Sequence, residues 1–431
     1  MICNNVTQEN DRLLFAGMDV CELGKKHGTP LYLMDEQQIR RNCQTYVNAI
    51  RTYFGENALP LYASKAASFK RMYEIVNEEG MGIDVVSMGE IFTAMKAGFP
   101  LSKAYFHNNN KTDADITYAM EQGVGYFIVD NEEELLAIDE IAGQKGVRQQ
   151  ILLRLTPGID PHTYEAIATG KVDSKFGNAI ETGQAELITK LAFACENVEL
   201  VGFHCHVGSL VFDSDVYIAS AKIMLEYVAL MQSKYGFVTK QLDIGGGYGV
   251  RYTEEDPVID IDANIAQVAS TMKEMCKELN ITMPAILLEP GRSIVADAGM
   301  TIYTVGTVKT IPGYKNYVAI DGGMTDNPRF ALYGSPYTLY AANKMNEKAD
   351  FECSVVGKCC ESGDIIQENV LLPSSMQRGD TVAVLTTGAY NYSMASNYNR
   401  ITRPPVVMLK DGSDYVAVRR ESLEDLVRND L

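Results

Sequence analysis

Apolar positions fall into two rhythms along the chain. After Asp35, the residues Ile39, Cys43, Tyr46, Val47 and Ile50 recur at spacings of three and four, which predicts an amphipathic helix with Asp35 as its N-cap. Short apolar runs then alternate with helical patterns. Eight runs predict strands: LPLYASK (59–65), MGIDVVS (81–87), AYFHNN (104–109), YFIVD (126–130), QILLRLT (150–156), LVGFHCHV (200–207), KQLDIGGG (240–247) and AILLEPG (285–291). Segments such as FKRMYEIVNEEG, MGEIFTAMKAG and NEEELLAIDEIAGQKG read as the helices between them, several stopped by glycine. Eight strands alternating with helices predict an α/β fold, a (β/α)8 TIM-like barrel over residues 36–295, with an open doubly wound sheet as the alternative.

Beyond Gly291 the pattern changes. TIYTVGTVKTI, NYVAIDGG, DFECSVVGK, TVAVLTTGAY, VVMLK and DYVAVRR are β-branched runs separated by turns, and a helix returns only in ESLEDLVRND. A C-terminal β-sandwich or β-barrel domain over 296–431 follows. Residues 1–35 are expected to join it, because TPLYLMD (29–35) reads as a strand of the same sheet.

Composition narrows the partners. The 431 residues are 46% hydrophobic, enough for a sizeable core, and the formal net charge is -18. Such a field disfavours nucleic acid and anionic membranes while leaving small-molecule substrates open. No apolar run approaches the roughly 18 residues that cross a bilayer. The N-terminal segment has no basic stretch followed by an apolar core, and nine scattered cysteines do not suggest a disulfide framework. A cytoplasmic protein is expected.

Polar residues gather at the carboxyl ends of the strands, where a barrel builds its site. They are Lys65, Asp84 and Ser87, the HNNNK run, Arg154, His204 and His206, Gly245, Gly246 and Gly247, and Glu289-Pro290-Gly291-Arg292. Each alone fits a rim residue; seven strand ends together do not look accidental. Lys65 stands among Ala63, Ser64, Ala66 and Ala67, which leave room for a planar group, and a desolvated amine is nucleophilic. His204 and His206, at i and i+2, would share a strand face, with Val201 and Phe203 toward the helices. That pair could bind a metal or stack on a ring, but with five histidines in the chain a metal site is short of further ligands. The glycine run suits a phosphate, and there is no GK[ST] of a P-loop. Adding a carboxylate for a pyridinium nitrogen (Glu289) and a cation (Arg292) describes a pyridoxal phosphate (PLP) site and no metal site.

These motifs, with SKFG, DGGMTDNPRFALYG, CCESGD and TGAYNYSMASNYNR, make the chain resemble the fold type III, alanine-racemase-like PLP decarboxylase family nearly end to end. The resemblance implies that Lys65 holds pyridoxal 5'-phosphate covalently. It implies that His206 stacks on the ring and that Ser209 with Gly245, Gly246 and Gly247 holds phosphate. Glu289 would meet the pyridine nitrogen, with Pro290, Gly291 and Arg292 completing that contact, and Arg292 also reaching substrate. Arg329 and Tyr333 match positions that grip a substrate carboxylate; Tyr390 matches one that touches phosphate and substrate. The lysine motif YASKAAS, Leu210 and Asn391 depart from the common pattern, which bears on substrate selectivity.

The same resemblance implies that CESGD serves the partner subunit, hence a homodimer with shared active sites. Cys360 would protonate the α-carbon as general acid, a role thiols suit because they are mostly protonated at neutral pH. Glu361 would attract a distal ammonium and Arg329 a distal carboxylate. A substrate with both distal groups is expected, namely meso-2,6-diaminopimelate, decarboxylated to L-lysine. The alternatives are another basic amino acid or carboxynorspermidine on the same fold, a racemase, a non-catalytic PLP-binding protein, or a metal-dependent hydrolase.

Overall fold

The computed structural model describes residues 1–159 and 174–431; His162 lies outside them. The chain divides into two compact units, one of residues 42–249 and 259–293, the other of residues 1–41, 250–258 and 294–431. Among the described residues no helix is long and apolar enough to cross a membrane.

The first unit is a closed barrel of eight parallel strands. They are β1 (Leu59–Ala63), β2 (Gly82–Val85), β3 (Ala104–Phe106), β4 (Tyr126–Val129), β5 (Gln149–Thr156), β6 (Val198–His204), β7 (Gln241–Asp243) and β8 (Ala285–Leu288). β8 pairs with β1, Leu287 opposite Leu59, and this closes the ring that an open sheet would leave unpaired. Most strands end a few residues before the predicted runs do. Lys65, Ser87, His107, His206 and Glu289 therefore stand on the loops just past the last backbone pair, while Asp84, Arg154 and His204 remain on their strands.

Leu61, Tyr105, Ile128, Leu152, Val201 and Leu287 meet in one buried cluster, each from a different strand. Side chains alternate along a strand. Tyr105, Ile128, Leu152 and Leu287 thus carry their side of the sheet on to His107, Asp130, Arg154 and Glu289. The apolar layer forms the floor beneath those polar groups, and each fully buried leucine contributes about 1.5–3 kcal/mol. Strict alternation puts Val201 on the helix side, but a register shift between Leu200 and Gly202 turns it into the floor cluster. Phe203 does face the helices, 5.1 Å from Tyr227 of the helix Ser214–Tyr235.

The second unit is built on a sheet. Its strands run in the order 365–373, 349–356, 315–320, 299–311, 31–35, 406–410 and 413–418, with 381–385 branching from the long strand Gly299–Ile311 and 339–341 pairing with 381–385. Hydrogen bonding links all nine into one sheet rather than two separate ones. The long strand makes the link: its first half pairs with Leu31–Asp35 and Thr381–Leu385, and its second half with Lys315–Ile320. The early strand joins this sheet as the sequence predicts. Its Leu31 and Leu33 pack with Ile302, Leu385, Val407 and Leu13 in a buried core. Asp35 caps the helix Glu36–Phe54, its Oδ1 accepting the Gln38 N–H at 3.1 Å. Ile39, Cys43, Tyr46, Val47 and Ile50 are all buried, as their spacing requires.

Candidate active site

At the mouth of the barrel, Lys65 lies past β1 in the one-turn helix Ser64–Ala66 and is exposed, while Ala63, Ala66 and Ala67 around it are buried. The Ala63 N–H donates to the Pro290 carbonyl at 3.1 Å, so the lysine turn and the EPGR turn are tied together.

Glu289 is the centre of the polar cluster. His204 Nε2 donates to its Oε2 at 3.3 Å. His107 Nε2 lies 2.9 Å from Oε1 without hydrogen-bond alignment, which leaves Oε1 a buried acceptor with no aligned donor among the described residues. His107 also stands 3.8 Å from Asp84 Oδ1 and packs edge-on against His204, ring centres 4.9 Å apart. Burial works against charge on Glu289, but the two imidazoles outweigh it and hold its pKa well below the usual carboxylate range. Burial pushes His204 down to about 4, so it is neutral at physiological pH. Asp243 goes the other way: burial, then the charge of Glu289, push it well up.

His206 is not on a strand face with His204. β6 ends at His204, and the His206 ring is anchored in the loop beyond, where Nδ1 accepts the Gly246 N–H at 3.2 Å. Burial, reinforced by Lys65, holds His206 well below its ordinary pKa. Ligand-capable atoms of His107, His204 and Glu289 come within 4.8 Å of one another, and His206 is not in that group. The two histidines at i and i+2 therefore do not share one site, and the group whose ligand atoms converge is His107, His204 and Glu289.

The glycine turn follows β7. Gly245 adopts φ +75° and donates its N–H to Asp243 Oδ1 at 2.8 Å. A Cβ on Gly246 would sit 1.9 Å from the Glu289 carbonyl oxygen, so only glycine lets the turn lie against the end of β8. Gly247 accepts the Val211 N–H at 2.9 Å. Buried Arg292 donates to Ser209 Oγ from Nε at 3.3 Å and Nη2 at 3.1 Å. Gly291 is packed against Ala63. Arg154 lies with its guanidinium 4.3 Å from the centre of the Phe176 ring.

The second unit carries the other predicted residues. Arg329 opens the short helix Arg329–Tyr333 and is only 4% exposed. Its guanidinium lies 5.4 Å from the ring centres of both Tyr333 and Tyr390. Nη2 donates to Ser335 Oγ at 3.3 Å, and Nε has no hydrogen-bond partner among the described residues. Tyr390 holds φ +63°, a left-handed conformation unusual for a tyrosine.

GKCCESGD forms a tight loop around Asp364. Its Oδ1 accepts the Met324 N–H at 2.6 Å and its Oδ2 the Cys359 N–H at 2.7 Å. A Cβ on Gly357 would stand 2.2 Å from Asp364 Oδ2, so the glycine is required for this closeness. Cys359 is buried, and burial pushes its thiol up to about 11. Cys360 is exposed, its N–H donating to Asn399 Oδ1 at 2.7 Å. Glu361, also exposed, accepts from Gly363 N–H and Ser362 Oγ at 3.2 Å each. All nine cysteines are free.

Sequence reading does not single out Asp243, Ser335, Asn399 or the burying role of Asp364. It names His107 only within the HNNNK run. Asp243 carries a weak signal as an acid inside an apolar strand; Ser335 and Asn399 carry none, because their partners are distant in sequence.

A (β/α)8 barrel with a lysine turn, a glycine turn and a buried carboxylate at its mouth defines the class. The chain belongs to the pyridoxal-dependent decarboxylases: residues 36–296 match the family described as pyridoxal-dependent decarboxylase, pyridoxal binding domain. Its full-length relatives are more particular. A diaminopimelate decarboxylase of Bacillus subtilis is 41% identical over 433 residues, covering 100% of this chain and 98% of that one. The crystal structure of diaminopimelate decarboxylase from M. jannaschii in co-complex with L-lysine superposes with a TM-score of 0.93 at 32% identity, covering 100% and 98% of the two chains. A lysine/ornithine decarboxylase from Vibrio vulnificus, complexed with putrescine, is more distant, with a TM-score of 0.75 at 25% identity over 91% and 97%.

Proposed function

We propose that this chain is a PLP-dependent carboxy-lyase that decarboxylates meso-2,6-diaminopimelate to L-lysine and CO2, the last step of lysine biosynthesis. One observation carries the substrate. Arg329 is a buried cation near the rings of Tyr333 and Tyr390, with no carboxylate within ion-pair distance among the described residues. Burying a charge without a partner costs several kcal/mol, so the site calls for an anion from the substrate. The distal carboxylate of diaminopimelate meets that need; lysine, ornithine and arginine have none.

The residues at the barrel mouth fit the cofactor. Glu289 Oε1 is a buried acceptor awaiting a donor, as a protonated pyridine nitrogen requires. Ser209, the Gly247 amide and the Arg292 guanidinium offer donors suited to phosphate, while Gly245 and Gly246, whose amides bond Asp243 and His206, would shape the turn around it. The small side chains around Lys65 leave room for a flat ring, and His206, fixed through Nδ1, offers its ring for stacking. When bound, the cofactor supplies an electron sink for the pair left behind by CO2.

The protein's own groups do the rest. Lys65 would hold the cofactor through its amine. Glu289 keeps the ring nitrogen protonated. Arg329 and Tyr333, with Tyr390, bind the distal carboxylate, and Arg292 and Tyr390 reach both cofactor and substrate. Cys360 delivers a proton to the α-carbon, and Glu361 attracts the distal ammonium. Both belong to a loop that is firmly braced yet open to solvent, in keeping with service to the active site of a second copy in a homodimer. The barrel over 36–295 thus binds PLP, and the β-domain over 1–35 and 296–431 completes a dimer-interface site. Nine free cysteines agree with a cytoplasmic setting.

The colour of the purified protein tests the cofactor. A visible absorbance band at one cofactor per chain, lost in Lys65→Ala, is the expected result. Stoichiometric zinc with no such band contradicts the reading.

A further inference from the structure

Glu289 is held from two sides by residues that the PLP-site reading leaves without a role. His204 comes from the end of β6 and His107 from the loop after β3, and both rings point at the same carboxylate. They touch each other edge-on at 4.9 Å, so neither ring can turn without displacing the other. Both are buried, at 0% and 5% exposed, where a freely rotating imidazole has no room. The contacts to the carboxylate are unequal. His204 makes an aligned hydrogen bond to Oε2, whereas His107 approaches Oε1 off the hydrogen-bond line and also nears Asp84. Oε2 is thereby spoken for, and Oε1 keeps an unused lone pair.

We propose that His204 and His107 are positioning residues for Glu289: His204 ties down Oε2, His107 closes the opposite side, and Oε1 is left aimed as the acceptor for the cofactor's ring N–H. The inference rests on the PLP-site reading above. It gives both histidines around this one carboxylate a role. The carboxylate stays ionised in a buried setting because its neighbours favour the anion, and it cannot swing its two oxygens. A carboxylate free to rotate would protonate the ring less completely and weaken the electron sink. Partners that orient an active-site group in this way are worth about 10- to 100-fold when removed.

The test uses the holoenzyme loaded with cofactor carrying 15N at the ring nitrogen, read by solid-state NMR. The unmodified protein should show the shift of a protonated ring nitrogen. In His204→Leu the signal should move toward the unprotonated value, and kcat should fall about tenfold or more with KM little changed. His204→Asn, too short to reach Oε2, is a milder second variant with the same expectation. His204→Gln, whose amide N–H can reach, should restore both the shift and kcat. His107→Leu should move the signal in the same direction. Signals unchanged from the unmodified protein in His204→Leu, His204→Asn and His107→Leu, with one cofactor still bound per chain, would overturn the brace while leaving the PLP reading intact. No ring-nitrogen signal from the unmodified protein would overturn both.

Discussion

The Arg329 guanidinium rests 5.4 Å from the centre of the Tyr390 ring, and Tyr390 adopts a left-handed backbone to stand there. With the Tyr333 ring at the same distance, the cation is stabilised by two aromatic rings and one hydroxyl instead of a carboxylate. Arg329→Gln should therefore cost about 3 kcal/mol of transition-state binding, or about 100-fold in kcat/KM for diaminopimelate. The loss should appear mainly in KM, as expected if the distal carboxylate is bound equally before and during the reaction. Steady-state kinetics of the purified variant check it.

Asp364 organises the GKCCESGD loop through two short bonds, to Met324 N–H and Cys359 N–H. Asp364→Ala leaves both amides without their acceptor and should destabilise the protein by about 2–4 kcal/mol. Asp364→Asn keeps one carbonyl oxygen and should fall between. Urea unfolding of the three proteins gives the order, and kcat should follow it if the loop serves catalysis.

The buried His204 sets a pH dependence of stability. Its folded pKa, about 4, lies below the ordinary 6.5. The unfolded chain therefore binds more protons between those values, and stability is lost as pH falls from 6.5 toward 4. The contribution is about 3 kcal/mol. Asp326 and Glu90, both raised to about 7 by burial, act in the opposite sense: their stability is fully present below the ordinary carboxylate range and lost as pH rises through 7. The net curve is thus flattened, and the informative quantity is a difference. The stability of the unmodified protein minus that of His204→Asn should drop by about 3 kcal/mol from pH 7 to pH 4, measured by urea unfolding at each pH.

Much of this arrangement is legible in the amino-acid order, and the reason is local. Barrel strands announce themselves as apolar runs between helices, and polar residues at their ends stand out against that background. The EPGR and GGG turns are contiguous, so Glu289, Arg292 and Gly245 are found without coordinates. What stays hidden is pairwise and distant. His107 and His204 are separated by nearly a hundred residues, and only barrel closure brings both to Glu289. Val201 changes sides because of a register shift that no alternation rule reveals. Asp364 reads as one more acid in a loop until two backbone amides from different segments converge on it.

The shared-site reading makes a prediction about mixed dimers. Lys65→Ala and Cys360→Ala should each be nearly inactive. Random exchange of subunits makes half the dimers hybrid, each with one intact site, so about a quarter of the sites should recover. Recovery of carbon dioxide release after verified subunit exchange measures it. No recovery would place Cys360 in the site of its own chain or outside catalysis.

The most direct test of the central claim is substrate choice by the purified, cofactor-loaded protein. Carbon dioxide release is measured side by side from meso-diaminopimelate, L-lysine and L-ornithine, with the amino-acid product identified. The account predicts one L-lysine formed per CO2 from meso-diaminopimelate, with kcat/KM at least about 100-fold above either substrate lacking the distal carboxylate. Comparable turnover of L-lysine or L-ornithine, or no CO2 from meso-diaminopimelate, would contradict it.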